Sequence, residues 1–270
     1  MGQPICVVDA FADGPFTGNP AGVCMLEKAA PEAWMQRLAA ELNLSETAFL
    51  YPGERGYHLR WFTPTVEVAL CGHATLASAH ALFEDGRLSG DATARFETKS
   101  GELTVRRADG LLELDLPASR VTREDAPPPQ LFKALGINPV PAYRTDFDFL
   151  VELPSEAAVR ALAPDMTLLQ RIDVRGVIGT APASLAGVDF VSRFFAPASG
   201  INEDPVTGSA HCALGPFWGA RLGRQEMAAR QVSARGGTLR VRLSGDRVLL
   251  GGSAATVWKG ELAANAGPLV

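Results

Sequence analysis

The sequence contains a diverged internal repeat, and a repeat of this size restricts the chain to folds made of two similar halves. Residues 60–64 (RWFTP) resemble residues 193–197 (RFFAP), and residues 101–106 (GELTVR) match residues 237–242 (GTLRVR). The motifs occur in the same order in both halves. Chance resemblance within an α+β chain is the alternative, but the regular spacing of the motifs favours a duplication.

Two apolar runs lie at equivalent positions between these motifs. Gly72 and Gly208, which precede the runs, are separated by 136 positions, and the glycines that begin the later motifs are separated by the same number. Residues 74–83 (ATLASAHALF) and 210–218 (AHCALGPFW) are apolar on nearly every side. A helix of this kind has to be surrounded by protein. Each half is therefore predicted to be a curled sheet or barrel around one buried central helix, which leaves few exposed strand edges.

The remaining elements also follow one order in the two halves. A strand near Val7-Val8 precedes a helix at Glu32–Leu42, and a strand at 149–151 precedes a helix at 156–163. Two strands, the apolar helix and three further strands then follow in each half. This mixture of strands and helices predicts an α+β protein.

The segment Ser119–Gln130 is the natural joint between the halves. It is polar, contains three consecutive prolines and has no hydrophobic periodicity. Such a composition is typical of an extended linker. We predict an N-terminal domain over residues 1–120 and a C-terminal domain over residues 128–270, and we expect that the last strand can pair back onto the first domain.

Charge and composition argue against several classes of function. Charged residues make up 20% of the 270 residues and the net charge is −5, so the chain lacks the basic excess of a nucleic-acid-binding protein. No basic segment followed by a long apolar stretch marks a signal peptide, and no apolar run reaches membrane-spanning length. We therefore expect a cytoplasmic protein without a nucleic-acid or membrane partner.

The four cysteines and four histidines do not follow the spacing of a metal site. The sequence has no Cys-x-x-Cys pair and no His-Glu-x-x-His motif. It also has no Gly-x-Ser-x-Gly motif and no phosphate-binding glycine motif. We expect no metal and no nucleotide cofactor.

The starts of the two apolar helices are candidate binding positions. A helix N-terminus carries unpaired N–H groups and a partial positive charge, which favour bound carboxylates. Gly72 and Gly208 would let the backbone approach a ligand closely, and His73 and Ser209 follow them. Plain helix capping explains either end alone. The matched pair favours a carboxylate site.

Two carboxylates lie next to these elements. Glu46 begins an apolar strand after a helix, where a Glu is either a solvent-facing or capping residue or a functional one. Asp204 precedes the second apolar run within an Asp-Pro pair, which is either turn chemistry or part of a site. From the pattern alone, both alternatives stay open for each residue.

A set of six motifs resembles a known family, the phenazine-biosynthesis PhzF-like proteins. The motifs occur in the family's order and span most of the chain. They are residues 8–11 (VDAF), 16–21 (FTGNPA), 45–49 (SETAF), 60–64 (RWFTP), 71–75 (CGHAT) and 203–211 (EDPVTGSAH). The last two are highly specific, so the sequence is identified as a member of this family.

The resemblance implies a fold and a site. The fold is a pair of pseudo-symmetric diaminopimelate-epimerase-like domains, which agrees with the repeat. Glu46 matches the family's catalytic acid/base. The other residues that match catalytic positions in a cleft between the halves are His73, Asp204 and Ser209. Three more residues are implied as substrate-binding walls of that cleft: Asn19, Gly72 and Gly208.

The resemblance also implies an activity. Family members are typically homodimeric isomerases without metal or organic cofactor, and the phenazine-pathway member isomerises a dihydro-hydroxyanthranilate. A buried carboxyl group has a raised pKa and can both give and take a proton. We therefore expect proton transfer, moving a double bond or hydrogen, on a small carboxylate-bearing substrate.

One position departs from the wider superfamily. Its epimerases and proline racemases use two cysteines, one before each central helix. Here the first position is Cys71, but the matching position in the second half is Thr207. A two-cysteine racemase is therefore not expected, and Cys71 is expected to be structural. The alternatives that stay open are a racemase or epimerase that uses Cys71 and a catalytically silent binding protein.

Overall fold

The chain passes between two structural units twice in the computed structural model, which describes residues 2–268. Within these residues, the first unit consists of residues 2–115 together with residues 251–268, and the second is Leu116–Leu250. The domains predicted over 1–120 and 128–270 differ from these bounds chiefly in the last twenty residues. Those residues lie with the first unit, because a strand within them pairs with the strand that begins the chain.

Before the joint, the first unit contains eight strands and two helices. In chain order these are β1 (Pro4–Ala10), β2 (Asn19–Met25), α1 (Glu32–Leu42), β3 (Glu46–Pro52), β4 (Tyr57–Phe62), β5 (Glu67–Val68), α2 (Gly72–Glu84), β6 (Thr93–Thr98), β7 (Gly101–Ala108) and β8 (Leu111–Pro117).

The rest of the chain supplies the second unit and the returning strand. Its elements are β9 (Val121–Arg123), α3 (Pro129–Leu135), β10 (Ala142–Thr145), β11 (Asp148–Glu152), α4 (Glu156–Arg160), α5 (Met166–Leu169), β12 (Gly176–Pro182), β13 (Phe190–Ala196), β14 (Ile201–Asp204), α6 (Gly208–Leu222), β15 (Glu226–Gln231), β16 (Gly237–Ser244), β17 (Arg247–Gly252) and β18 (Ala254–Glu261).

The strand pairings within the two units confirm the predicted repeat. In the first unit β2 is parallel to β3, β3 is antiparallel to β4, β4 is parallel to β6, and β6 is antiparallel to β7. In the second unit β11, β12, β13, β15 and β16 repeat this series in the same order and directions. The α+β class with two pseudo-symmetric halves is therefore confirmed.

The pairings also correct one predicted correspondence. The counterpart of β11 in the first unit is β2, not β1 near Val7-Val8, because β2 is the strand that is parallel to its successor. The predicted helix at 156–163 is shorter than expected, since α4 ends at Arg160. Hydrophobicity alone does not distinguish β1 from β2, since both are buried along nearly their whole length.

The polar segment Ser119–Gln130 is not a free linker, which corrects the sequence prediction. It contains β9, which pairs antiparallel with β10 and so belongs to the second unit. The Ser119 hydroxyl donates to Asp146 at 2.9 Å and fixes the entry to this strand. A short strand of this kind depends on a distant partner, which local composition does not reveal.

The two central helices are wrapped by strands of their own units, as predicted. Eleven of the thirteen residues of α2 are buried, and α2 packs against β1, β2, β3, β7 and β18. The Thr75 and Ser78 hydroxyls inside α2 donate to the carbonyls of Cys71 and Ala74, which satisfies them without an outside partner. In the second unit α6 packs against β9, β15 and β16. Among the described residues, no helix is both long and apolar enough to cross a membrane.

The last strand covers an edge of the first unit. β18 runs antiparallel to β1 from Pro4↔Glu261 to Ala10↔Ala254, with an irregularity between Val7 and Val8. Because β2 pairs with the other edge of β1, β18 leaves β1 with a partner on both sides. A covered edge cannot pair with another chain.

The buried central helices generate a stability prediction. Leu76→Ala in α2 and Leu214→Ala in α6 each remove a fully buried side chain, and each is expected to lower the free energy of unfolding by about 2–5 kcal/mol. The half-exposed Leu185 is the control, and its change to Ala should have a much smaller effect. Urea unfolding followed by circular dichroism measures all three, and a small loss at Leu76 or Leu214 would contradict the wrapped-helix description.

Candidate functional site

Glu46 and His73 meet in the first unit. Glu46 is the first residue of β3, and His73 is the second residue of α2. Both are largely buried, with 9% and 3% of their surfaces exposed. The carboxylate Oε2 and the imidazole Nε2 are 3.4 Å apart. This distance permits a polar interaction but is longer than a strong hydrogen bond.

Asn19 holds the other side of the His73 ring. It is the first residue of β2, is fully buried, and places Nδ2 3.1 Å from His73 Nδ1. The preceding residue, Gly18, has φ +68°, and a β-carbon there would lie 2.4 Å from the carbonyl oxygen of Ala10. Only glycine fits this turn without strain, so Gly18 sets where β2 begins and where Asn19 points.

His73 is a neutral side chain at physiological pH. Burial lowers its pKa from the ordinary 6.5 to about 3, because the charged imidazolium is poorly solvated there. With the Asn19 amide donating to Nδ1, as its side chain is oriented here, the ring proton resides on Nε2. His73 therefore presents a hydrogen-bond donor, and no charge, toward Glu46.

Cys71 also contacts His73, from the N-cap position of α2. Its Sγ is 3.5 Å from Nδ1, and Cys71, His73 and Glu46 offer ligand atoms within 4.8 Å of one another. The sequence spacing did not reveal this cluster of three possible metal ligands, because Glu46 comes from a separate strand. The sulfur approaches Nδ1 and the carboxylate approaches Nε2, and the thiol and the carboxylate also lie close to each other. The absence of a metal remains a prediction.

The remaining predicted residues lie at the start of α6 in the second unit. Gly208 and Ser209 are its first two residues, and Asp204 ends β14 just before it. The Asp204 carboxylate accepts a 2.6 Å hydrogen bond from the Thr207 hydroxyl. Gln231 donates to the Asp204 carbonyl at 2.6 Å and accepts from the Thr207 N–H at 2.9 Å. Asp204 thus helps to close the turn that begins the helix.

The structure reveals two residues near Ser209 that the sequence analysis missed. Arg175 donates from Nη1 to the Ser209 hydroxyl at 3.0 Å. Its Nε and Nη2 donate to the two carboxylate oxygens of Asp148 at 2.9 and 2.5 Å. Burial raises the pKa of Asp148, while the Arg175 guanidinium opposes that rise. Only the position of Arg175 in the sequence could have identified it. Arg175 directly precedes β12, which is the counterpart of β3, the strand that Glu46 begins.

A repeated ion pair fixes the hairpin before each central helix. Arg60 forms two hydrogen bonds of 2.8 Å with Glu67, and Arg193 forms two of 2.6 and 2.8 Å with Glu203. Each guanidinium also lies over a phenylalanine ring of its own strand. A paired fork on a carboxylate restricts both side chains strongly. These arginines, recognised in the sequence as repeat markers, therefore position the segments that lead into α2 and α6.

The structure thus brings the predicted residues together within each unit. Asn19, Glu46 and His73 form one cluster around the start of α2, where Gly72 is the first helical residue. Asp204, Gly208 and Ser209 lie around the start of α6. The first cluster offers a carboxylate and a neutral imidazole, which suit proton transfer. The second offers hydroxyl, guanidinium and helix N–H donors, which suit an anion.

Comparison with known proteins gives a consistent result. The family model described as "Phenazine biosynthesis-like protein" matches residues 8–260 of the chain. The chain is 50% identical over 262 residues to an uncharacterized isomerase of Halalkalibacterium halodurans, covering 97% of this chain and 99% of that protein.

Solved structures extend the comparison to the fold. A crystal structure of a phenazine biosynthesis protein of the PhzF family from Enterococcus faecalis superposes with a TM-score of 0.92 at 45% identity, covering 97% of this chain and 100% of that one. A hydroxyproline epimerase from Agrobacterium vitis superposes with a TM-score of 0.68 at 14% identity, over 99% of this chain and 94% of that one. The second likeness concerns the fold alone, which is the predicted diaminopimelate-epimerase-like fold.

The burial of His73 generates a prediction about its titration. We expect nitrogen NMR shifts to show a neutral ring, protonated on Nε2, at pH 5 as well as at pH 7, because the pKa is about 3. An unfolded histidine binds a proton below about pH 6.5. In the folded protein, burial lowers the pKa of His73 to about 3 and that of His211 to about 4, so each buried ring binds a proton only at a lower pH. Their contribution to stability is therefore complete above pH 6.5 and declines as the pH falls. A doubly protonated His73 ring in folded protein at pH 5 would contradict this description.

Proposed function

The chain belongs to the phenazine biosynthesis-like protein family, and on that premise we propose that it moves a proton on a small carboxylate-bearing substrate without a cofactor. The family relationship supports an isomerase-type enzyme. The observation that supports proton transfer is the buried Glu46 carboxyl group next to a neutral His73.

In this proposal Glu46 carries the proton. Its carboxylate takes a proton from a substrate carbon, and the electron pair of that C–H bond enters the conjugated system of the substrate. The carboxylic acid then returns the proton to another carbon of the same system, so that a double bond moves and no atom is gained or lost. One carboxyl group can perform both steps when its environment lets it hold either protonation state.

His73 assists this transfer by donating a hydrogen bond. Because its ring is neutral, it lies beside Glu46 without forming a full ion pair, which would hold the carboxyl permanently ionised. Asn19 fixes the ring orientation through Nδ1. The Nε2–H can therefore stabilise the negative charge that develops on Glu46 or on the substrate during proton transfer.

The second unit is proposed to hold the substrate carboxylate. Gly208 and Ser209 place backbone N–H groups and a hydroxyl at the start of a fifteen-residue helix, where the helix dipole favours an anion. Asp204 is proposed to act by holding the turn before this helix in place, because its carboxylate accepts a hydrogen bond from the Thr207 hydroxyl.

The racemase alternative requires a thiol at both helix starts. Cys71 occupies the N-cap of α2, but the N-cap of α6 is Thr207. The Thr207 hydroxyl already donates to Asp204 and is a much weaker acid than a thiol. A proton exchange between two faces of one carbon therefore has one suitable group rather than two. This favours the Glu46 mechanism.

The proposed proton carrier generates the main kinetic prediction. Glu46→Gln keeps the shape of the side chain but cannot exchange the proton, so turnover of any substrate that the wild-type enzyme converts should fall by about 10²–10⁴-fold. The KM should change little, because the groups at the start of α6 remain. Steady-state kinetics measures both, with the exposed Glu41→Gln as a matched control that retains wild-type turnover. Near-normal turnover by Glu46→Gln would refute the mechanism, although the family assignment would stand.

Cys71 provides a second prediction that separates the two enzyme classes. Cys71→Ala should retain most turnover, because the thiol carries no proton to the substrate in the proposed reaction and Asn19 still holds the His73 ring. Initial rates and circular dichroism should be recorded on the same preparation. Loss of turnover in a normally folded Cys71→Ala protein would instead support the racemase or epimerase alternative.

A further inference from the structure

A carboxylate lies at the start of one strand and a guanidinium at the start of its counterpart, and each is close to the central helix of its own unit. Glu46 begins β3 and lies 3.4 Å from His73, the second residue of α2. Arg175 directly precedes β12, the counterpart of β3, and lies 3.0 Å from Ser209, the second residue of α6. The repeat therefore places a carboxylate in the first unit and a guanidinium in the second, one position apart in the alignment of the halves.

Arg175 is held in one orientation. Asp148, which is 2% exposed, accepts hydrogen bonds from Nε and Nη2. The guanidinium also lies 5.1 Å from the ring centre of Phe147 and 5.4 Å from that of Phe194. Because two hydrogen bonds to one carboxylate and two aromatic rings already hold the guanidinium, it loses little conformational freedom when it binds a further group.

Arg175 nevertheless remains accessible, with 34% of its side chain exposed. A guanidinium has five N–H groups, and the contacts with Asp148 and Ser209 use three of them. Because the Ser209 oxygen accepts from Arg175, the Ser209 hydroxyl hydrogen can be donated elsewhere. Two kinds of donor thus lie side by side, and this pattern matches the two oxygens of a carboxylate.

We propose that Arg175 is a specificity-determining residue that selects substrates bearing a carboxylate group. It acts directly through its guanidinium and also by positioning the Ser209 hydroxyl. This inference rests on the proposed function, since it assigns the group that recognises the carboxylate end of the proposed substrate. It adds a residue that neither the sequence motifs nor the family resemblance identified.

The chain contains a closely matched control at the other end of the same helix. Arg221 lies in the last turn of α6, has 33% of its side chain exposed, and forms an ion pair with Glu152 at 3.0 Å. Its guanidinium also lies over two rings, those of Tyr143 and Phe217. Arg221→Met therefore removes an arginine of the same exposure and setting, but away from Ser209.

The test is a binding titration that needs no knowledge of the natural substrate. Full-length protein labelled with nitrogen-15 is titrated with sodium acetate, benzoate and 2-aminobenzoate, each compared with its neutral amide at constant ionic strength. The signals followed are the backbone amides of Gly208 and Ser209 and the Nε–H of Arg175. Wild-type protein and Arg221→Met should show saturable shifts with at least one carboxylate and none with its amide.

Variants at the proposed residue complete the test. Arg175→Met should weaken carboxylate binding by at least tenfold, and Arg175→Lys should retain a measurable preference for the carboxylate over its amide. Because Arg175→Met leaves Asp148 buried without its partner, the double variant Asp148→Asn with Arg175→Gln removes both charges and guards against a folding defect. The double variant should lose the carboxylate preference while keeping the wild-type fold.

The outcomes separate this inference from the proposed function. No saturable shift with any of the three carboxylates in wild-type protein would overturn the role of Arg175, and so would wild-type shifts in folded Arg175→Met or in the folded double variant. Glu46→Gln should bind the same carboxylate as wild type does, because Glu46 is not part of the recognition group. Failure of the Glu46 prediction with retained Arg175-dependent binding would remove the mechanism and leave the specificity residue in place.

Discussion

The burial of the two central helices determines how both units are built. Each helix is surrounded by the strands of its own unit, so the groups at its N-terminus cannot rely on bulk water for solvation. The polar residues that meet them come from strand starts, with Glu46 and Asn19 near α2 and Arg175 near α6. The burial that stabilises each unit thereby also assembles its polar cluster.

The repeat explains why these clusters are alike in place and different in chemistry. The bidentate pairs of Arg60 with Glu67 and of Arg193 with Glu203 are the same in both halves and fix the segments before the helices. The helix starts themselves have diverged to His73 in one half and Ser209 in the other. We interpret the ion pairs common to both halves as structural and the diverged groups as functional, with proton transfer proposed in the first unit and anion recognition proposed in the second.

Much of this could be predicted from the sequence because it depends on local pattern. The two apolar runs predicted the buried helices, and the motif spacing predicted the duplication. The roles of Glu46 and His73 were implied by the resemblance to the PhzF-like family and not by local pattern, and the structure places Glu46 Oε2 and His73 Nε2 3.4 Å apart. The features that sequence analysis missed depend on distant pairing. The strand β9 needs β10 as its partner, and Arg175 gains significance only once β12 is recognised as the counterpart of β3. The Cys71 cluster was overlooked for the same reason.

Isomerisation of substrates in heavy water tests whether Glu46 is the proton carrier. Wild-type enzyme and Glu46→Gln are incubated in heavy water with a mixture of small unsaturated carboxylic acids, and each compound and its isomers are followed by chromatography and mass spectrometry. We expect wild-type enzyme to isomerise at least one compound, adding one deuterium to its carbon skeleton whenever the Glu46 carboxyl exchanges its proton with solvent before returning it, and we expect Glu46→Gln to do neither. Deuterium incorporation by Glu46→Gln at the wild-type rate would contradict the assignment of Glu46 as the proton carrier.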